Sequence, residues 1–205
     1  MKNNELAWRT LVDNALEERR RWESIDELAF KAGIPRTTAH LSLQRLSDIG
    51  AITTYPSGGF SVTSPDKILT LLCAWRNLTP DTVAMTTHDG VNAICQQHQL
   101  THAWSGPDAA IHYLGGRNTV ADYSSALIYV QLPTDTNIVF PGGNDVRVLT
   151  MDTRAALDWD GYASFAQTYA DLFASPGWQS TEFRLALRDR FLSTRDWDQK
   201  EANRG

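Results

Sequence analysis

The side chains best suited to contact nucleic acid lie in one short segment of the chain and in the segment that follows it. Ala39, Leu43 and Leu46 recur at helical spacing, so the polar residues between them share the opposite face of one helix. Arginine can neutralise a phosphate or fork onto guanine, glutamine and histidine can read base edges, and threonine suits phosphate oxygens at a helix start. The candidate contact residues are Arg36, Thr37, Thr38, His40, Gln44 and Arg45 on this face, and Tyr55 and Ser57 after it. Leu41 shares the face, where it would contact either a thymine methyl group or another domain.

Two predicted helices precede this face. Apolar residues at helical spacing predict an amphipathic first helix over about residues 5–21. Ser24 with Glu27 three residues later is a capping-box pattern, which predicts a second helix over about 25–32. Gly33 is typical of the residue that ends a helix.

A third helix, which carries the face, and a hairpin follow. The helix ends at Gly50, and two short β-prone runs over Thr53–Thr63 flank a tip at Pro56–Gly59. Three helices followed by a hairpin, with this apolar and glycine spacing, resemble the bacterial winged helix-turn-helix family. In that family the third helix enters the major groove and the wing touches the backbone or the minor groove. Residues 1–65 are therefore predicted to form a winged helix-turn-helix DNA-binding domain.

Bulk charge does not favour nucleic acid. The chain has 19 Lys and Arg against 24 Asp and Glu, a net charge of −5. Residues 1–65 hold eight of each sign, so the remaining eleven basic and sixteen acidic residues lie in 66–205. Any DNA binding must therefore come from a local basic face. The run Arg19–Arg21 either adds to such a face or pairs with the glutamates beside it.

Residues 66–205 are predicted to form a second domain of mixed α/β pattern. The predicted helices cover 67–76, 89–98 with Asp89 as the cap, 107–114, 162–174 and 179–192. The predicted strands cover 83–86, 126–132, 137–140 and 145–150. The predicted fold class is thus α/β (α+β), an N-terminal winged helix-turn-helix with a C-terminal mixed α/β domain.

The residue patterns that enzymes need are missing or incomplete. A nucleotidyltransferase needs a Gly-Ser turn and, about ten residues later, two carboxylates that hold Mg²⁺. Here Gly115-Gly116 is followed by Asp122 without a second carboxylate, and Asp158-Trp159-Asp160 is predicted as a loop with no glycine turn before it. His98 and His102 have the spacing of a metal pair but lie at a predicted helix end. We therefore expect no enzyme activity, no catalytic residue, no cofactor and no metal.

The two cysteines and the hydropathy predict a compartment. Cys73 and Cys95 are too few for a disulfide framework and are predicted as small core residues. Apolar runs long enough to span a bilayer are missing, and no signal-peptide pattern opens the chain. A reduced, cytoplasmic protein without a membrane partner is the expectation.

Segments in a fixed order resemble the AbiEi-type antitoxins of bacterial abortive-infection, or type IV, toxin–antitoxin systems. After the winged helix and the wing return at residues 59–62, the resembling segments are 104–115, 143–149, 166–172, and 175–177 before a helix with Glu182 and Arg188. The chain departs from the family at Gly177-Trp178-Gln179-Ser180, where the family has a Gly-Arg-Gly-like turn. The resemblance implies that the winged helix binds repeats in operator DNA upstream of its own operon. It also implies that the C-terminal domain neutralises a nucleotidyltransferase-like toxin without stable contact.

Two other functions stay open. One is a winged-helix transcription regulator whose second domain binds a small-molecule effector in an aromatic pocket. The candidate lining residues are Trp75, Trp104, Trp159, Trp178 and Trp197, although such rings more often belong to a core or an interface. The other is a degenerate nucleotidyltransferase. Release of DNA by an effector would identify the first, and metal-dependent nucleotide transfer the second.

Overall fold

The chain divides after Arg76 into two units of mixed α/β structure. A computed structural model describes residues 1–116, 120, 125–134 and 138–193. One unit is built from Lys2–Arg76, with which Phe191–Ser193 group, and the other from Asn77–Arg190 together with Met1. The boundary predicted from the sequence, between residues 65 and 66, falls after the first residue of a helix (Pro65–Trp75) that this division places in the N-terminal unit.

The N-terminal unit contains four helices and a small antiparallel sheet. In chain order its elements are α1 (Asn3–Leu16), β1 (Arg21–Trp22), α2 (Ile25–Ala32), α3 (Arg36–Asp48), β2 (Ile52–Thr54), β3 (Phe60–Val62) and α4 (Pro65–Trp75). The strand order is β1-β3-β2, and both pairings are antiparallel. The sheet therefore contains the predicted hairpin, β2–β3, with β1 added on the far side of β3.

Local sequence signals determine where α2 begins and ends. The Ser24 hydroxyl accepts a hydrogen bond from the Glu27 amide at 3.1 Å, which satisfies one of the free amides of the first turn. The Glu27 carboxylate accepts from the amide of Glu23 at 3.0 Å. Gly33 ends the helix in the left-handed conformation, φ 66°. The predicted helix over 25–32 is confirmed.

The turn of the β2–β3 hairpin lies close to the backbone after β1. Gly59 has φ 76°, a conformation that disfavours residues with a side chain. A Cβ atom at Gly59 would lie 2.8 Å from the Glu23 carbonyl oxygen and closer still to that of Trp22. Only glycine fits at this position without displacing the chain. The close approach of the hairpin turn to the backbone of β1 therefore depends on glycine at this position.

The core of the N-terminal unit explains why α4 belongs to it. Trp8 and Leu11 of α1 are completely buried, and Trp75 at the end of α4 contacts the Trp8 ring edge-on at 5.7 Å between centroids. Glu5 and Arg76 form a buried ion pair, with 3.5 Å between Oε2 and Nη1. Because a buried charge is costly unless it is paired, this contact ties the end of α4 to α1.

The C-terminal unit is built around a four-stranded sheet. A short 3₁₀ turn (Thr79–Asp81) leads into β4 (Thr82–Thr86), α5 (His88–His98), β5 (His102–Ser105), α6 (Pro107–Tyr113), β6 (Ala126–Val130), β7 (Val146–Thr150), α7 (Thr153–Asp158), α8 (Phe165–Ala174) and α9 (Trp178–Leu187). A π-helical turn (Arg188–Leu192) follows, and its last two residues group with the N-terminal unit. The strand order is β4-β7-β6-β5. The central strands β6 and β7 are parallel, and both outer pairings are antiparallel.

Both faces of this sheet are covered. Every residue of β6 is buried, which accounts for its continuous apolar sequence. Ile128 and its neighbours on one face pack with Val91 and Cys95 of α5. Tyr129 on the other face belongs to a second cluster that includes Ala155 of α7.

Several predicted elements of the C-terminal unit are confirmed and others are wrong. The strand at 82–86, the helix at 88–98 and the strand at 126–130 match their predictions closely. Residues 138–140 form no strand, and residue 137 lies outside the described residues. The residue that caps α5 is Thr87, whose hydroxyl accepts from the Gly90 amide, so the prediction of Asp89 as the cap is wrong.

The structure also bears on membrane insertion. Across residues 1–116, 120, 125–134 and 138–193, no helix has both the length and the apolar character needed to cross a bilayer.

Candidate nucleic-acid interface

The helix α3 turns one apolar face inward and one polar face outward. As the spacing predicted, Ala39, Leu43 and Leu46 are buried. The predicted contact residues Arg36, Thr37, His40, Gln44 and Arg45 are exposed, and Thr38 is half-buried. Leu41, the apolar exception, is 56% exposed and lies among them. The outward face of α3 is therefore mostly polar, with Leu41 as its exposed apolar residue.

The N-terminal end of α3 is suited to an anion. Pro35 occupies the cap position and makes no side-chain hydrogen bond to the first turn. The first turn contains no acidic residue. Free amides and the positive end of the helix dipole both favour a negatively charged group at such a terminus. The Thr37 side chain is exposed beside these amides, while the Thr38 carbonyl accepts a hydrogen bond from the Ser42 hydroxyl at 2.8 Å.

Arg36, the first residue of α3, is paired with a residue of α2. Its Nε atom lies 2.7 Å from Oδ1 of Asp26, and the two side chains are 71% and 66% exposed. Gly33, in the left-handed conformation, ends α2 before the turn into α3, and the ion pair joins the first turns of the two helices. Asp26 carried no signal in the sequence because the pair depends on this tertiary arrangement.

His40 and Gln44 are also joined. They lie one turn apart on α3, with 3.2 Å between Nε2 of each. If the imidazole nitrogen accepts, the Gln44 amide donates one hydrogen to it and keeps its second hydrogen and its oxygen for another partner. The two predicted base-reading side chains therefore form one polar unit.

Arg45 is positioned by an aromatic ring. Its guanidinium carbon lies 4.7 Å from the centroid of the Trp75 ring. The Lys2 ammonium approaches the same ring at 5.9 Å. A cation over an indole face is attracted by the ring quadrupole. Arg45 therefore sits on α4 while its charge stays exposed to solvent.

The hairpin carries a cation that the list of predicted contact residues left out. The guanidinium carbon of Arg21, on β1, lies 3.9 Å from the centroid of the Tyr55 ring. Arg21 Nη2 donates a hydrogen bond to the Gly58 carbonyl at 3.4 Å. Ser57 is exposed at the same turn and Tyr55 is half-buried. Arg21 carried no sequence signal for this contact, because its position depends on the pairing of β1 with β3.

Arg19 and Arg21 of the Arg19–Arg21 run have different surroundings. Arg19 pairs with Glu27 of α2 and lies over the Trp22 ring at 4.9 Å, so it belongs to a local charged cluster. Arg21 instead stacks on Tyr55 and adds positive charge to the hairpin turn.

The candidate enzyme residues of the C-terminal unit can now be placed in the structure. Within the described part of the chain, no group of three or more His, Cys, Asp or Glu is arranged to hold a metal ion. Asp158 is the last residue of α7 rather than part of a loop, and its carboxylate lies 3.5 Å from Arg154. Asp122 lies outside the described residues. Cys73 and Cys95 are both buried, and burial raises the pKa of the Cys95 thiol.

Three of the tryptophans predicted to line a pocket are described in the C-terminal unit, and their surroundings differ. Trp159 packs edge-on against Tyr129 at 5.2 Å and joins the core. Trp104 stacks with His88 at 5.4 Å, and Trp178 is 62% exposed. Trp197 lies outside the described residues. The three described rings give no support to an aromatic effector pocket.

A buried polar cluster occupies the interior of the C-terminal unit. The Asp171 carboxyl group accepts hydrogen bonds from Ser105 Oγ at 2.7 Å, from Tyr129 Oη at 2.9 Å and from Gln167 Nε2 at 2.9 Å. All four residues are buried. The cluster joins α8 to β5 and β6. Gln167 and Asp171, four residues apart on an otherwise apolar helix, were the sequence signal for it.

Comparison with known proteins adds no relative. Protein-family models, curated proteins and solved structures contain no match to this chain.

Proposed function

We propose that the N-terminal unit is a winged helix that binds double-stranded DNA. In this proposal α3 enters the major groove and the β2–β3 hairpin is the wing. The observation that carries it is the outward face of α3, where exposed arginine, threonine, histidine and glutamine side chains lie together. The order of three helices and a hairpin, with an arginine at the hairpin turn, supports the same function.

Local charge makes the interface possible although the chain as a whole is acidic. The first turn of α3 has no carboxylate of its own. Arg21 and Arg45 lie against uncharged aromatic rings, at exposed positions of the N-terminal unit. Charges farther away than about 8 Å are largely screened at physiological salt. The field at the interface therefore depends on these nearby cations more than on the net charge of −5.

We further propose that the protein is a cytoplasmic antitoxin of the AbiEi type. It represses its own operon through the N-terminal unit and neutralises a nucleotidyltransferase-like toxin through the C-terminal unit. Support comes from the ordered sequence segments that resemble that family, three of which lie in β7, α8 and the start of α9. The protein itself carries out no catalysis in this proposal.

The DNA-binding part is tested by a footprint on the DNA upstream of the gene. Arg36→Ala and Gln44→Ala should each weaken protection of that DNA because both side chains lie on the outward face of α3. Lys67→Ala is the matched control: it also removes an exposed cation, but Lys67 lies on α4 and donates to the Ile49 carbonyl at 2.9 Å. Equal binding by all three variants and the parent would exclude α3 as the element that contacts DNA.

The antitoxin part is tested in the full-length chain. Co-expression with the nucleotidyltransferase-like protein of the same operon should restore growth. The double variant Arg36→Ala, Gln44→Ala should lose repression and keep the rescue, because those residues lie outside the C-terminal unit. An operon without such a gene, or rescue that disappears with repression, would contradict the proposed division of roles.

A further inference from the structure

The ion pair between Asp26 and Arg36 contributes little to the stability of the fold. Both side chains are about two-thirds exposed, and exposed ion pairs contribute little to the free energy of folding. Arg36 also occupies the first position of α3, where the helix dipole disfavours a cation. Asp26 lies in the first turn of α2, where the helix dipole favours an acidic residue. The arginine is thus the member of the pair that calls for another explanation.

The geometry of the pair leaves one edge of the guanidinium available. Asp26 Oδ1 lies 2.7 Å from Nε of Arg36 and so occupies that side of the guanidinium. The two terminal nitrogens carry four of the five donor hydrogens of an arginine, enough for a forked pair of hydrogen bonds. A carboxylate on one side restricts the plane in which that fork lies. A fixed fork matches the O6 and N7 acceptors of guanine in the major groove.

The same carboxylate argues against a phosphate as the target. Arg36 with Asp26 attached is close to neutral as a unit, and the Asp26 charge would repel a phosphate oxygen nearby. Arg45 differs, because its partner is the uncharged ring of Trp75 and its full positive charge stays available. The two arginines of α3 thus have different surroundings that fit different targets.

We propose that Arg36 reads a guanine base and that Asp26 is the residue that positions it for this contact, while Arg45 serves a phosphate. This inference rests on the proposed DNA binding and assigns sequence specificity within it. Asp26 acts through Arg36 and touches no base.

The test measures base discrimination separately from affinity. The full-length protein selects duplexes from a random-sequence library, and the enriched duplex is then mutated at each G·C pair. Asp26→Asn should reduce discrimination at one G·C pair by roughly tenfold, within the range of about 1–3 kcal/mol for one bidentate base contact. The same change should strengthen binding to unselected DNA, because it removes a negative charge from the interface.

Two further variants separate positioning from charge. Asp48→Asn removes an exposed negative charge from the last residue of α3 and should leave discrimination at every G·C pair unchanged. Arg36→Lys keeps the positive charge but loses the fork, so it should lose discrimination at the same G·C pair as Asp26→Asn.

The outcomes are distinct. Unchanged discrimination in Asp26→Asn, or loss at different base pairs in Asp26→Asn and Arg36→Lys, would overturn the positioning role. A parent protein that enriches no sequence and binds no duplex would instead overturn the proposed DNA binding itself.

Discussion

Replacement of Asp171 should destabilise the C-terminal unit more than any surface change. Its carboxyl group is the acceptor shared by Ser105, Tyr129 and Gln167 in the interior. In Asp171→Ala the Gln167 amide keeps its hydrogen bond to Tyr129 Oη at 2.8 Å but loses the one to the carboxylate, and the two hydroxyl groups lose theirs as well. A buried hydrogen bond to a neutral or charged group contributes about 0.5–3 kcal/mol. At about 1.5 kcal/mol for each of the three bonds, the predicted loss in the free energy of unfolding is about 4 kcal/mol.

Asp171→Asn provides the graded comparison. The asparagine oxygen can accept one hydroxyl hydrogen, and the other hydroxyl can rotate to accept from the new amide. The expected cost is therefore smaller, about 1–2 kcal/mol, as for the loss of one buried hydrogen bond. Asp160→Ala, at an exposed position after α7, is the surface control and should stay within about 0.5 kcal/mol of the parent.

Urea denaturation followed by circular dichroism measures the overall loss, and amide exchange assigns it to one unit. Exchange should accelerate in β5, β6 and α8, and remain unchanged in α1 and α3. The reasoning would be refuted by a cost below about 1 kcal/mol for Asp171→Ala, or by equal costs for the alanine and asparagine variants.

Three further changes test the packing of the two units. Gly59→Ala should lower the free energy of unfolding by about 1–2 kcal/mol through the left-handed backbone alone. Because the new Cβ would meet the Trp22 carbonyl, the change should also loosen the hairpin, which faster amide exchange in β3 would show. Glu5→Gln should destabilise the N-terminal unit by about 3 kcal/mol in urea, because it removes the negative charge that faces the buried Arg76 guanidinium. A change below about 1 kcal/mol would contradict a stabilising pair. The raised pKa of Cys95 means that folding favours the neutral thiol, so the thiol's contribution to stability is complete below its pKa in the unfolded chain and is lost as the pH rises through its pKa in the folded protein. Native protein should accordingly alkylate slowly at Cys95. Labelling as fast as in urea would contradict the burial of this thiol.

Where local chemistry decides structure, the sequence was sufficient. Ser24 and Gly33 determine the ends of α2 by hydrogen bonding and backbone conformation within a few residues, so their pattern predicted the helix correctly. The inward and outward faces of α3 likewise followed from helical spacing alone. By contrast, β1 has two residues and exists only because β3 pairs with it. The strand β5 is four residues long and contains no apolar run that distinguishes it from a loop.

The candidate interface shows the same division. Every polar residue predicted on α3 lies on its outer side, because that depends on periodicity. The contacts that give these residues different environments were not predictable, because each joins two elements: Asp26 of α2 with Arg36 of α3, and Arg21 of β1 with Tyr55 after β2. No local signal in the sequence specifies which side chain of one element meets which side chain of another.

The proposed DNA binding has a salt dependence that can be predicted from these environments. If Arg36 contacts a base, the cations proposed for phosphate contacts are Arg45 on α3 and Arg21 at the hairpin. Each phosphate contact contributes about 0.9 to the slope of log K against log salt, so two contacts predict a slope of about −2 for one N-terminal unit on one site. Arg45→Ala should reduce the slope to about −1, while Arg36→Lys should leave it unchanged. A parent slope of about −5 or steeper would require phosphate contacts outside α3 and the hairpin. Such a slope would contradict an interface that binds DNA through a few local cations.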